Sequence, residues 1–269
     1  MCKELIFARS IKNKLGFYIT SVKDYSIFRK GIEDKNMSIK IFADGADLNG
    51  MVKEYKRGIV KGFTTNPSLM KKAGIENYKE FAKAVVKNIP DMPVSFEVFS
   101  DDLDGMLKEA KVIGKIGENV YIKIPVTNTK GESTNPVIKE LSNNGYKVNV
   151  TAVFTVDQVK SVLKCLNPDV PSIISVFAGR IADTGIDPEV VIKQSKELCK
   201  SIKSVELLWA SCREIFNIVQ AERSGADIIT VQNDILKKLH LHGKDLKEYS
   251  LDTVKGFFKD AQGLGFSIL

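Results

Sequence analysis

Short apolar runs alternating with amphipathic segments predict an α/β chain folded as a single (β/α)8 TIM barrel, with an N-terminal extension and an extra C-terminal helix. Three observations carry this expectation: eight strand-like runs can be placed, helical patterns separate them, and a chain of 269 residues suits one barrel. The first run, 39–43, leads into the Asp-Gly-Ala-Asp turn at 44–47. The second, 62–64, opens into Thr-Asn-Pro-Ser at 65–68, a strand-to-helix turn with proline in the first helical turn. The third, 94–98, alternates in a way that points Glu97 inward, and the fourth, 120–124, is apolar apart from one lysine. The last four runs are 148–151, 173–177, 205–209 and 228–231. Amphipathic helices are expected at 77–88, 104–116, 135–143, 156–166, 188–201 and 213–224. A doubly wound open sheet is the alternative arrangement. No G-x-G-x-x-G or Walker motif follows the first run, which weakens its nucleotide-binding form. Residues 252–262 read as the extra helix, broken by Gly263-Leu-Gly265.

Composition narrows the function classes. Apolar residues make up 43% of the chain, enough for one sizeable core, and charged residues 27%. No apolar run approaches the roughly 18 residues of a membrane span. Residues 1–10 lack the layout of a signal peptide, so a cytoplasmic protein is expected. Of the net charge of +7, residues 1–36 hold +4. That stretch is basic, interspersed with Phe and Tyr, and without a clean period, so it is set apart as an extension from a catalytic domain at 37–269. The remaining +3 gives little support to a nucleic-acid surface and suits anionic substrates. Cys2, Cys165, Cys199 and Cys212 form no C-x-x-C pair, so neither a disulfide framework nor a zinc site is expected. His240 and His242 are the whole histidine supply, and no third metal ligand lies near them. Chemistry without histidine, metal or cofactor follows.

Barrel active sites lie at the C-terminal ends of the strands. Reading those ends in order gives Asp44, then Thr64, Asn66 and Ser68, then Glu97, Lys123, Asn149, Thr151, Ser175, Phe177, Arg180, Ser211 and Arg213. Lys123 sits in the apolar run Val120-Tyr-Ile-Lys-Ile-Pro-Val126. Burial disfavours the charged form of an amine, and the neutral amine is the nucleophile that Schiff-base chemistry requires. An outward lysine or a structural ion pair is the bland alternative. Asp44 and Glu97 are the candidate acid/base groups, although Asp44 could equally cap a helix starting near Ala46. Thr151 could hold a water together with Glu97. Asn66 could cap its helix or bind sugar hydroxyls. Arg180, Arg213 and Ser211 together could clamp a phosphate.

Six segments now coincide with one family. They are Phe42-Ala-Asp44, Gly62-Phe-Thr-Thr-Asn-Pro-Ser68, Ile122-Lys-Ile-Pro-Val-Thr127, Asn149-Val-Thr-Ala-Val153, Ser175-Val-Phe-Ala-Gly-Arg-Ile181 and Ala210-Ser-Cys-Arg213. In this order the chain resembles the transaldolases, including their short-chain branch with the fructose-6-phosphate aldolases. The resemblance implies Lys123 as Schiff-base lysine and Asp44 as the acid/base for the C4 hydroxyl. It implies that Glu97 and Thr151 hold a catalytic water. Asn66, Asn149 and Ser175 would bind the dihydroxyacetone hydroxyls, with Thr64 beside them, and Arg180, Ser211 and Arg213 the phosphate. Sugar-phosphate substrates of the pentose phosphate pathway and a homo-oligomer are implied as well. Glu97 and Phe177 go with group transfer in this family, where glutamine and tyrosine go with the aldolases. The chain departs from the family pattern at Gly45, Trp209 and Cys212, the last two flanking the expected phosphate site. A deoxyribose-phosphate aldolase would not explain Thr64-Thr-Asn66 together with Asp44. The rival outside enzymology is a non-catalytic barrel whose basic arm binds an acidic partner.

Overall fold

The computed structural model of the protein describes residues 38–266 and 268; the expected extension at 1–36 lies outside them. Eight parallel strands close into a barrel in chain order: β1 Lys40–Asp44, β2 Gly62–Thr64, β3 Val94–Glu97, β4 Val120–Pro125, β5 Val148–Val153, β6 Ser172–Val176, β7 Val205–Trp209 and β8 Ile228–Gln232. The fold is the expected (β/α)8 barrel, and β1 pairs with β8 to close it. Helices alternate with the strands: α1 Leu48–Arg57, α2 Pro67–Lys72, α3 Tyr78–Asn88, α4 Leu103–Ile113, α5 Asn135–Asn143, α6 Val156–Leu163, α7 Ala178–Ala182, α8 Pro188–Cys199 and α9 Phe216–Ser224, with the short α10 Asn233–Leu236 after β8.

Helix starts follow local chemistry. Asp47, Asn77, Asp102 and Asp187 accept backbone N–H bonds as N-caps, and Thr155 with Gln158 forms a capping box. Asp47 therefore does the capping that Asp44 was a candidate for, which leaves Asp44 at the strand end. The helix expected from Arg213 starts later, at Phe216, because residues 210–215 form the loop that leaves β7. Helices α2, α7 and α10 are six residues long or shorter, too brief to leave a periodic pattern in the sequence.

Residues 38–238 form one compact unit and Leu239 opens a second. Within the second, Leu239–Leu241 is a 3-10 turn and α11, Leu246–Gln262, begins well before the expected residue 252, capped by Asp245. Its apolar residues, including Leu246, Val254, Phe257 and Phe258, are exposed. Among the described residues no helix is long and apolar enough to cross a membrane.

The barrel interior obeys the two-residue period of a strand. Phe42, Tyr121, Ile173, Leu208 and Ile228 form its apolar floor. Two positions further along the same strands come Asp44, Lys123, Ser175, Ala210 and Thr230, which line the cavity above that floor. Gly62 makes the floor possible: a Cβ there would lie 2.6 Å from the Phe42 ring. Close approach recurs at the upper rim, where a Cβ on Gly179 would lie 1.7 Å from the Ser211 carbonyl oxygen. The Gly179 N–H also donates to the Ala210 carbonyl at 3.2 Å, so the start of α7 and the loop after β7 pack backbone to backbone. We expect Gly179→Ala to lower stability by about 3 kcal/mol, because backbone cannot yield as a side-chain tip would. Gly45→Ala, whose Cβ would meet nothing nearer than 3.8 Å, should stay within about 1 kcal/mol of the parent. Urea unfolding midpoints check both, and equal midpoints for the two variants would contradict the packing argument.

Candidate active site

The C-terminal strand ends surround a cavity of about 130 Å³. Asp44, Thr64, Asn66, Lys123, Thr151, Ser175, Phe177, Arg180, Ser211 and Arg213 all line it, together with Leu208, Ala210, Thr230 and Gln232. Two expected residues, Glu97 and Asn149, stand just behind this lining.

Lys123 is buried, with 7% of its surface exposed. Register pairs it with Glu97 on β3 and Asn149 on β5, which brings its amine 3.1 Å from the Glu97 carboxylate. The amine also donates to the Thr65 carbonyl at 3.0 Å. This is the ion pair that the bland reading of Lys123 described, but it lies at the wall of a cavity rather than on an outer face. Glu97 also borders an apolar groove lined by Tyr78, Phe99 and Val112. The Tyr78 hydroxyl donates to the Glu97 backbone carbonyl at 2.7 Å, which fixes the end of β3.

Asp44 faces Lys123 from β1. Burial raises its carboxyl above the ordinary value. The Lys123 charge and a hydrogen bond from the Thr64 hydroxyl, 2.8 Å long, act in the opposite direction, while Glu97 adds to the rise. Two carboxylates and one amine thus share a small polar volume above an apolar floor.

Thr151 is buried, and its hydroxyl has no hydrogen-bond partner among the described residues. The next residue, Ala152, has φ of 57°, and the β5–β6 register shifts between Val150 and Val153. A bulge of this kind re-aims the residues beside it, here the cavity-lining Thr151. Asn149 is fully buried: its amide nitrogen donates to Ser95 at 2.9 Å and its carbonyl accepts from Ser175 at 2.7 Å. It orients Ser175 from behind. Asn66 caps α2, its side-chain oxygen accepting from the Leu69 N–H at 3.0 Å, while it also lines the cavity. Both readings of Asn66 thus coexist.

At the mouth, the Arg180 guanidinium lies 5.3 Å above the Phe177 ring and Arg213 pairs with Asp183 at 2.6 Å. Ser211, with φ of 66°, is held in the left-handed region where few residues other than glycine sit. Trp209 and Cys212 do not line the cavity. Trp209 is fully buried, and burial pushes the Cys212 thiol up to about 12. Their departure from the family pattern is therefore a matter of packing around the site. Among the described residues no group of three or more His, Cys, Asp or Glu side chains could hold a metal ion.

Three residues join the site beyond those expected from the strand ends: Thr230 and Gln232 on β8, and Asp183, the partner of Arg213. A polar Thr230 inside the apolar run Ile228-Ile-Thr-Val231 was an available signal. Asp183 had none, since its ion pair joins residues 30 positions apart.

The pH dependence of stability tests the Asp44 environment. The native state holds the Asp44 proton to higher pH than the unfolded chain does. The group is therefore least unfavourable below its unfolded value, and stability is lost as pH rises through the folded value. Asp44→Asn should raise Tm at neutral pH by about 2–4 °C, with the difference shrinking in acid. Thermal melts across that range check it; a variant less stable than the parent at neutral pH would contradict a burial-dominated carboxyl.

Comparison with known proteins identifies the family of the chain. The family described as Transaldolase/Fructose-6-phosphate aldolase matches residues 41–268. A "Probable transaldolase" of Methanococcus maripaludis (strain C5) is 37% identical over 206 residues, covering 76% of this chain and 91% of that protein. Another "Probable transaldolase", from Caldicellulosiruptor saccharolyticus, is 35% identical over 206 residues, covering 76% of this chain and 90% of its own. Among solved structures, a Burkholderia cenocepacia J2315 protein provisionally named a phosphonomutase superposes with a TM-score of 0.54 at 11% identity, over 89% of this chain and 98% of that one. That likeness concerns the barrel alone. On the family match and these relatives, the chain belongs to the transaldolase/fructose-6-phosphate aldolase family.

Proposed function

We propose that the protein is a transaldolase. In this reading it moves a dihydroxyacetone unit from a ketose phosphate, such as fructose 6-phosphate or sedoheptulose 7-phosphate, to an aldose phosphate through a Schiff base on Lys123. The observation that carries the reading is a buried lysine amine 3.1 Å from one carboxylate, facing a second carboxylate across a cavity whose mouth holds two arginines.

The steps follow from the positions. The Lys123 amine attacks the C2 carbonyl, and water leaves after proton transfers through Glu97 and a water held at the Thr151 hydroxyl. The iminium withdraws electrons from C3. Asp44 takes the C4 hydroxyl proton, the C3–C4 bond breaks, its electron pair becomes the enamine, and an aldose phosphate departs. The enamine then attacks the aldehyde of the acceptor, and Asp44 returns a proton to the new C4 oxygen. Water hydrolyses the iminium and frees both ketose and lysine. Burial raises the Asp44 carboxyl, which suits a group that must take a proton and give it back. Ser175, Asn66 and Thr64 line the cavity and would meet the dihydroxyacetone hydroxyls; Arg180, Arg213 and Ser211 line it too and would meet the phosphate. No metal and no organic cofactor enters these steps.

Group transfer is favoured over simple cleavage by Phe177. Release of free dihydroxyacetone requires a proton on the enamine carbon. Phe177, packed on Phe154 at a ring distance of 5.7 Å, has no hydroxyl to supply or relay one.

The test is incubation with fructose 6-phosphate, with and without erythrose 4-phosphate, while following glyceraldehyde 3-phosphate. Sustained product only with the acceptor is expected, and Lys123→Ala should lower it more than about 1,000-fold. Equal product without the acceptor would move the assignment to an aldolase. Near-parental activity of Lys123→Ala would overturn the Schiff-base reading.

A further inference from the structure

Thr230 stands on β8, next to the strand that ends in Asp44, and its side chain is buried at the cavity. Its hydroxyl oxygen lies 2.5 Å from the Thr64 hydroxyl oxygen, and Thr64 in turn donates to Asp44 Oδ1 at 2.8 Å. A hydroxyl has one proton to donate, and an ionised carboxylate only accepts. While Asp44 is ionised, Thr64 commits its proton to the carboxylate. The short contact between the threonines is then a hydrogen bond only if Thr230 donates.

We propose that Thr230 is a positioning residue for Asp44: by donating to Thr64 it holds the Thr64 hydroxyl as a donor aimed at the carboxylate. This deepens the proposed function and rests on Asp44 being the base of the reaction. The two hydroxyls polarise each other along the chain, so the bond reaching Asp44 is stronger than an isolated threonine would make. When Asp44 takes the C4 proton on its other oxygen, Oδ1 remains a carbonyl acceptor, so the Thr64 bond persists but loses its charge-assisted strength. The chain therefore favours the ionised carboxylate over the protonated one, with no heavy atom displaced.

Other charges also act on Asp44. Lys123 on β4 favours its ionised form, and Glu97 on β3 opposes it. Arg180 and Arg213 line the same cavity, the first from the short helix α7 after β6 and the second from the loop after β7. The threonine chain is distinct from these because it is neutral and can be removed without changing charge.

Thr230→Val keeps the shape and deletes the donor; Thr230→Ser keeps the donor and deletes a methyl group. The rate of acceptor-dependent transfer is measured against pH for both and for the parent. Thr230→Val should move the acid limb of kcat upward by about 0.5 to 1 pH unit, since a lost donor destabilises the carboxylate. Thr230→Ser should keep the parental limb. A Thr230→Val limb that superposes on the parent, or an equal displacement in both variants, overturns the relay while leaving the transaldolase reading intact. A parent that transfers nothing overturns that reading and the relay with it. Should Thr230→Val not fold, Thr230→Ala against Thr230→Ser makes the same comparison.

Discussion

A lysine placed inside a barrel must be reconciled with its surroundings, and most of the site follows from how this chain does so. Lys123 lies among Val120, Tyr121, Ile122 and Ile124 of β4, all buried. An unpaired ammonium there would be costly. Glu97 and the Thr65 carbonyl meet the amine at 3.1 and 3.0 Å, and Asp44 faces it from the other side of the cavity. These same contacts that make the lysine tolerable supply the groups its chemistry would use. Breaking any of them leaves a buried polar group short of a partner, which links the stability of the upper barrel to the integrity of the site.

The alternation of a strand turns this local requirement into an architecture. On five strands an apolar floor residue is followed two positions later by a cavity residue, so one periodicity separates core from chemistry over a few ångströms. Asp44 experiences both layers: the low-dielectric floor raises its carboxyl, and the polar rim holds the rise back. The loops above add what strands cannot. The bulge at Ala152 re-aims Thr151, and the left-handed Ser211 sits against Gly179, joining helix α7, which carries Arg180, to the loop that carries Arg213. Strained backbone at a site is usually maintained by its surroundings, and here the Gly179–Ser211 packing maintains it.

Much of this was legible in the sequence because it depends on short-range patterns. Apolar runs located every strand to within a residue or two, and the polar residues ending them identified most of the cavity wall. Boundaries moved where a cap or a loop decided them: Asp47 caps α1 in place of Asp44, and α9 starts at Phe216, beyond the loop that leaves β7. What the sequence could not convey was depth and pairing. Asn149 and Glu97 looked equivalent to Ser175 and Lys123, yet they stand behind the lining, because barrel curvature and register decide which inward side chain reaches the cavity. The Asp183–Arg213 and Thr230–Thr64 contacts join distant segments and appear only once the barrel closes.

The central claim is that Lys123 carries the substrate covalently. The most direct measurement is borohydride reduction of the protein during incubation with fructose 6-phosphate, followed by peptide mapping by mass spectrometry. The account predicts a stable dihydroxyacetone-derived adduct confined to the peptide containing Lys123. An active enzyme with no adduct, or with its adduct on a different lysine, would contradict it.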